Sequence, residues 1–184
     1  MRLLLHVCCA PDATVALERL PRAERLRLFF DNPNIYPVEE FARRLEAFLK
    51  FICCSNVDYI VGDFDRDAWS GKIRGHEHDD EGGDRCGICI GWRLERTAEM
   101  AARSGFDTIG CVFTTSPHKR SPLIHKLGEA AAAKFGLNYL PIDLKKQNGF
   151  RRSVDLSREL GLYRQNYCGC QYSLRDEPGN SGGE

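Results

Sequence analysis

Short apolar runs alternate with amphipathic stretches along almost the whole chain, and no other feature restricts its fold as much. "LLLHV" (3–7), "RLRLFF" (25–30), "VDYIV" (57–61), "FDTIGCVF" (106–113) and a shorter "LNYLPI" (137–142) have the length and composition of strands. Between them lie segments of helical spacing. One helix starts near Pro11. "VEEFARRLEAFLKFI" (38–52) places Phe41, Leu45, Phe48 and Ile52 on one face, and "RDAWSGKI" (66–73) is short. Residues 90–103 bring Ile90, Leu94, Ala98 and Ala101 together. Residues 123–135 are Ala-rich, and "GFRRSVDLSRELGLY" (149–163) is stopped at Gly161. Strand–helix alternation of this kind predicts a three-layer α/β domain with a mainly parallel sheet. A single domain over 1–175 suits the length, and "EPGNSGGE" makes 176–184 a disordered tail.

In such sheets the binding sites form beyond the carboxyl ends of the strands. That rule brings "HVCCAPD" (6–12), "DNPNIYP" (31–37), the loop after "VDYIV" and "TTSPHKRSP" (114–122) to one edge. Two adjacent cysteines therefore stand where chemistry is expected. They belong to a larger set of nine, eight of them in close pairs: Cys8/Cys9, Cys53/Cys54, Cys86/Cys89 and Cys168/Cys170, with Cys111 alone. No apolar run approaches the ~20 residues of a membrane span, and "MRLLLHV" ends too early for a secretory signal. The reading is a cytoplasmic protein in which these thiols are not a static disulfide framework.

Each pair has its own context. Cys8 and Cys9 sit at a strand-to-helix turn, where a helix N-terminus favours thiolate, and Asp12 lies one turn on. "RCGICIGWR" carries a Cys-x-x-Cys at the opening of a helix, a spacing shared by zinc, dithiol and iron–sulfur sites. Four thiolates from Cys8, Cys9, Cys86 and Cys89 match either a Cys₄ zinc site or a four-iron cluster, and spacing does not separate the two. Separate buried thiols are the rival reading. Cys168 and Cys170, split by one glycine, suit a redox pair, with metal binding as the alternative. Cys53 and Cys54 read as packing or surface thiols and Cys111 as core; His6 reads as a core histidine, and His76 and His78 as members of a solvated acidic loop.

Charge is uneven although it sums to zero. Residues 107–175 carry 11 Lys/Arg against 5 Asp/Glu, whereas residues 1–106 carry 15 against 18. A basic C-terminal half suits an anionic polymer such as RNA, with a solvated surface as the plainer alternative.

Taken together, "HVCCAPD", "DNPNIYPVEEFARR", "CGICIGWRLERTAEMAARSGFD", "FTTSPHKR" and "LYRQNYCGCQYS" resemble the QueH-type epoxyqueuosine reductases, in the family's order and over residues 6–173. The resemblance implies a fold of the adenine nucleotide α-hydrolase (HUP-like) group. It implies cobalamin-independent removal of the epoxide oxygen of epoxyqueuosine at the wobble position of tRNA, giving queuosine. It assigns a four-iron four-sulfur cluster to Cys8, Cys9, Cys86 and Cys89, and a redox-active pair to Cys168 and Cys170. An adjacent iron, if present, would take Asp12 as its carboxylate. No ATP is expected, because "CCAPD" stands where the phosphate-binding glycine loop of that fold would be. Tyr36, His118 and Tyr167 are candidate proton donors. Lys119, Arg120, Arg151, Arg152 and Arg164, with Lys145 and Lys146, are candidate phosphate contacts. The implied partners are that tRNA and an unidentified electron donor, with no membrane. The rivals are a non-catalytic zinc-binding RNA module and a metal-free thiol–disulfide oxidoreductase.

Overall fold

The fold is built around β1 (Arg2–Val7), whose Leu3, Leu4, Leu5, His6 and Val7 are all fully buried. A strand covered on both faces needs a continuous apolar run rather than alternation, which is what "LLLHV" supplies. The computed structural model describes residues 1–174; the expected tail lies outside the described residues. Around β1 stand β2 (Arg25–Phe30), β3 (Asp58–Val61), β4 (Thr108–Cys111) and β5 (Asn138–Tyr139), in the order β3-β2-β1-β4-β5, with every pairing parallel. The helices are α1 (Ala10–Arg19), α2 (Val38–Ser55), α3 (Arg66–Lys72), α4 (Asp84–Arg103), α5 (Ser121–Lys134) and α6 (Gly149–Glu159).

Side-chain alternation sorts the core into two halves. Leu5, Val7, Leu28 and Phe30 point to one face and pack with Ala13 and Ala16 of α1 and with Phe48 and Phe51 of α2. Leu4, Phe29, Ile109 and Cys111 point to the other, against Leu94 and Ala98 of α4 and Ile124 and Ala131 of α5. The result is the expected three-layer parallel α/β architecture. β1 leads outward through α1 to β2 on one side, while β4 lies on its other side. The switch point of the sheet is therefore between β1 and β4, where a crevice is geometrically required.

The boundaries differ from expectation in three places. α4 begins at Asp84 rather than near residue 90, so the Cys-x-x-Cys lies inside the helix. The strand at 106–113 shortens to four residues and passes into a 3₁₀ turn over Phe113–Thr115. "LNYLPI" forms only two strand residues, because Pro141 denies a ladder donor at the sheet's edge. Cys111 is buried, and Cys53 and Cys54 are exposed on the last turn of α2. His6 is a core residue whose Nε2 donates to the Asp31 carbonyl at 2.9 Å. His76 lies half-exposed in its loop, its Nδ1 2.9 Å from Asp79 Oδ2. Among the described residues no helix is long and apolar enough to cross a membrane.

Candidate active site

At the switch point lies a cavity of about 290 Å³, and Cys8, Cys86, Cys89, Cys168 and Cys170 all line it. Three segments far apart in sequence deliver these thiols.

The first is the turn from β1 into α1. Cys9 is the residue before the helix, fully buried behind Cys8, and Pro11 fits the first turn, where no backbone donor is needed. The Cys8 thiol lies 3.6 Å from Asp12 Oδ2, and ligand atoms of Cys8, Cys9 and Asp12 fall within 4.8 Å of one another. A hydrogen bond between the two thiols lowers the Cys8 pKa and, with burial, holds the proton on Cys9. Burial raises the Asp12 pKa, while Lys119 and Arg164 oppose the rise.

The second segment is the start of α4. Cys86 and Cys89, three residues apart, share one helical face and both line the cavity. Each sulfur accepts an N–H: the Gly82 amide donates to Cys86 at 3.2 Å, and the Trp69 indole to Cys89 at 3.3 Å. Burial raises the Cys86 pKa and pushes Cys89 up to about 11. Arg93, one turn further, is buried; it donates to Asn32 Oδ1 and lies over the Phe113 ring at 4.6 Å. The buried Asp31 carboxylate is taken by Arg96 through two hydrogen bonds of 2.7 and 2.8 Å, which leaves Arg93 without a carboxylate partner among the described residues.

The third segment is the stretch after α6. Gly169 adopts φ +131°, a conformation that side-chain-bearing residues rarely reach, and this folds Cys168 and Cys170 around one tight turn. Arg44 pins that turn from beneath, donating to the Cys168 carbonyl at 3.0 Å and the Tyr167 carbonyl at 3.2 Å. Its Nε is paired with Glu40 at 2.6 Å, and Glu40 in turn accepts the Tyr163 hydroxyl at 2.8 Å. The Tyr36 amide donates to the Gly169 carbonyl at 2.8 Å. All nine cysteines are free thiols, Cys168 and Cys170 included.

His118, Lys119 and Arg120, on the loop after β4, complete the rim together with Arg164 and Tyr167. Lys119 Nζ has no hydrogen-bond partner among the described residues, and its pKa is raised chiefly by the neighbouring Cys168, with Cys8 and Asp12 adding to the effect. Five candidates from the sequence sit elsewhere, among them Lys145, whose Nζ donates to the Lys119 carbonyl, and Lys146. Tyr36 is 40% exposed outside the cavity, beneath Arg66, and its carbonyl accepts the Tyr167 hydroxyl. That bond occupies the Tyr167 proton, and burial pushes its pKa up to about 12, so neither tyrosine is poised to donate into the cavity. Arg152 is paired with Glu18 at 2.6 Å and Glu159 at 3.4 Å, and Arg151 is exposed; neither lines the cavity. Conversely, Trp69, Arg93, Arg44 and Phe150 were not singled out from the sequence. Arginines on an amphipathic helix read as solvated, and only the fold reveals Arg44, Arg85 and Arg93 as buried.

The donor set fits an iron–sulfur group better than isolated thiols. N–H donors are aimed at Cys86 and Cys89, Cys8 and Cys9 lie close together beside Asp12, and among the described residues the cations Arg93 and Lys119 lack carboxylate partners. Hydrogen bonds to sulfur and nearby positive charge are what a polyanionic cluster requires.

Comparisons with known proteins place the chain in a family. A family model described as "Epoxyqueuosine reductase QueH" matches residues 3–176. A protein named epoxyqueuosine reductase QueH from Streptococcus pyogenes is 39% identical over 179 residues, covering 94% of this chain and 70% of its own length. One of the same name from Thermotoga maritima is 36% identical over 174 residues, covering 93% and 89%. Among solved structures, the U34-tRNA thiolase NcsA from Methanococcus maripaludis, described with its [4Fe-4S] cluster, superposes with a TM-score of 0.57 at 13% identity. That match covers 95% of this chain and 62% of the thiolase, and at such low identity it speaks for the fold alone. With the family model spanning nearly the whole chain and relatives above 30% identity of which the chain covers 70% and 89%, this protein belongs to the QueH family of epoxyqueuosine reductases.

Proposed function

We infer that the chain reduces epoxyqueuosine in tRNA to queuosine, and that the thiol-lined cavity at the switch point is where it does so. The observation that carries this reading is the convergence of Cys8, Cys86, Cys89, Cys168 and Cys170 on one cavity rimmed by Lys119, Arg120 and Arg164, with Cys9 directly behind Cys8. We assign Cys8, Cys9, Cys86 and Cys89 to a four-iron four-sulfur cluster, and Asp12 to any further iron beside it. When bound, such a cluster would supply electrons one at a time, and a further iron beside it would supply a Lewis acid.

The overall reaction needs two electrons and two protons. In balance, the epoxide and two thiols give the alkene, one water and a disulfide. Cys168 and Cys170 are the proposed source: each S–H gives up a proton, the S–S bond forms, and both C–O bonds of the epoxide break. Arg44 and Gly169 hold the turn that keeps the two thiols together. Lys119, positive and without a partner beside Cys168, Cys8 and Asp12, offers an N–H to the oxygen as negative charge develops on it. An external donor then restores the dithiol. Trp69, Ile90 and Phe113 give the cavity apolar walls that limit water.

The test is anaerobic turnover of tRNA carrying epoxyqueuosine, with digested nucleosides read by mass spectrometry. Queuosine, lighter by one oxygen, is the expected product. Cys168→Ser with Cys170→Ser should abolish conversion while leaving bound iron unchanged. Full activity in that double variant would remove the dithiol step, and no conversion by the wild-type protein would remove the reading itself.

A further inference from the structure

Phe150 is an apolar residue that the core does not use. It stands in the first turn of α6, is 39% exposed, and belongs to none of the buried clusters, yet it lines the same cavity as the thiols. A residue both solvent-exposed and cavity-lining is at the mouth. Its mounting is rigid. A Cβ on Gly149 would fall 1.7 Å from the Leu144 carbonyl oxygen, so the helix start is packed directly on the preceding turn. Arg19 clamps that turn by donating to the carbonyls of Leu144, Lys146 and Gln147.

Arg164 lies on the same side of the cavity. Its guanidinium is 5.8 Å from the Phe150 ring centroid and is held by the Ser153 carbonyl at 3.2 Å and the Ser157 hydroxyl at 3.1 Å. Its charge also reaches Asp12 on the cavity floor. Tyr36, the other exposed aromatic with an arginine over its ring, does not line the cavity, which singles out Phe150. His118, Lys119 and Arg120 share the mouth, and the Lys145 ammonium ties the Phe150 turn to the Lys119 carbonyl.

A fixed, part-exposed aromatic ring with a guanidinium over it, within a basic rim, is how single-stranded nucleic acid is held without reading its sequence. An enzyme acting on a base takes it out of its stack, which uncovers a face of the neighbouring base. We propose that Phe150 and Arg164 form a stacking platform for a nucleobase adjacent to the wobble position of the anticodon loop, held at the mouth while the wobble base enters the cavity. The proposal rests on the tRNA reading above.

The experiment titrates the iron-loaded, full-length protein with a synthetic anticodon stem-loop carrying 2-aminopurine on one or the other side of the wobble position. Fluorescence quenching reports stacking, and the same titrations at several salt concentrations report phosphate contacts. Phe150→Ala and Phe150→Leu should weaken binding about ten-fold, relieve the quench at one neighbouring position, and leave the salt slope unchanged. Phe150→Tyr should restore both affinity and quench. Thermal melting checks that each variant is folded. Affinity unchanged in Phe150→Ala, a Tyr variant as weak as Ala, or absence of a quench at both neighbours would each overturn the platform. Turnover of epoxyqueuosine tRNA by the wild-type protein separates the two claims: if it proceeds while the platform test fails, only the platform falls.

Discussion

Arg44 illustrates how much of the site depends on single buried side chains. Two of its nitrogens hold the carbonyls of Tyr167 and Cys168, and the third is paired with the buried Glu40. A lysine offers one rotatable point charge and cannot make this fork. Arg44→Lys should therefore loosen the Cys168–Cys170 turn, and Arg44→Ala, which strands Glu40, should cost about 3–5 kcal/mol in a urea melt. Alkylation of Cys168 should be faster in both variants; an unchanged rate would deny Arg44 its positioning role. Arg44 was not legible in the sequence, because an arginine between Arg43 and Leu45 in "FARRLEAF" has no mark of burial. The cysteines were legible because their side chains have few other uses in such numbers. Tyr36 and Tyr167 misled as proton donors: each stands beside a motif, and nothing in the local sequence reveals that one hydroxyl is spent on the other's carbonyl.

At the level of elements, periodicity located the helices and missed their polar or glycine-rich first turns. α4 was expected from residue 90 because Cys86, Gly87 and Cys89 add nothing to an apolar stripe, although they occupy the turns that matter most. α6 depends on a contact the sequence hides equally well. Gly149→Ala would drive a methyl into the Leu144 carbonyl oxygen, so it should destabilise the fold by about 1–3 kcal/mol and weaken stem-loop binding along with it. The strand edges make a separate prediction. Asp107, just before β4, accepts the Arg2 amide at 2.8 Å, and its carboxyl is lowered to about 2 by that bond, with help from Thr108. A carboxyl depressed in the folded state stabilises above its unfolded pKa and loses that contribution as pH falls. The stability advantage of wild type over Asp107→Asn should therefore be full above about pH 4 and fade toward pH 2 in acid-unfolding curves. A pH-independent difference would contradict the assignment.

For the molecule as a whole, strand–helix alternation was enough to read the layers, and the rule placing sites at the switch point was enough to find the cavity. The positive charge of residues 107–175 was less informative than its sum suggested. Among the described residues only Lys119, Arg120 and Arg164 carry it to the mouth, while Arg152 ties α6 to Glu18. Arg151→Ala with Arg152→Ala should therefore disturb tRNA affinity less than Lys119→Ala with Arg120→Ala, measured as binding constants against salt. The thiols divide in the same way: Cys53 and Cys54 are exposed on the last turn of α2, outside the cavity, and Cys53→Ser with Cys54→Ser should retain iron and turnover.

Everything proposed for the cavity depends on the assignment of iron and sulfide to Cys8, Cys9, Cys86 and Cys89 at the head of the sheet. The most direct test of that assignment is an anaerobic visible spectrum of the purified protein, with iron, zinc and sulfide quantified on the same sample and on Cys86→Ala with Cys89→Ala. A brown protein with a broad visible band and about four iron and four sulfide per chain, both lost in the double variant, is the predicted result. A colourless protein with stoichiometric zinc that fails to take up iron and sulfide would contradict it.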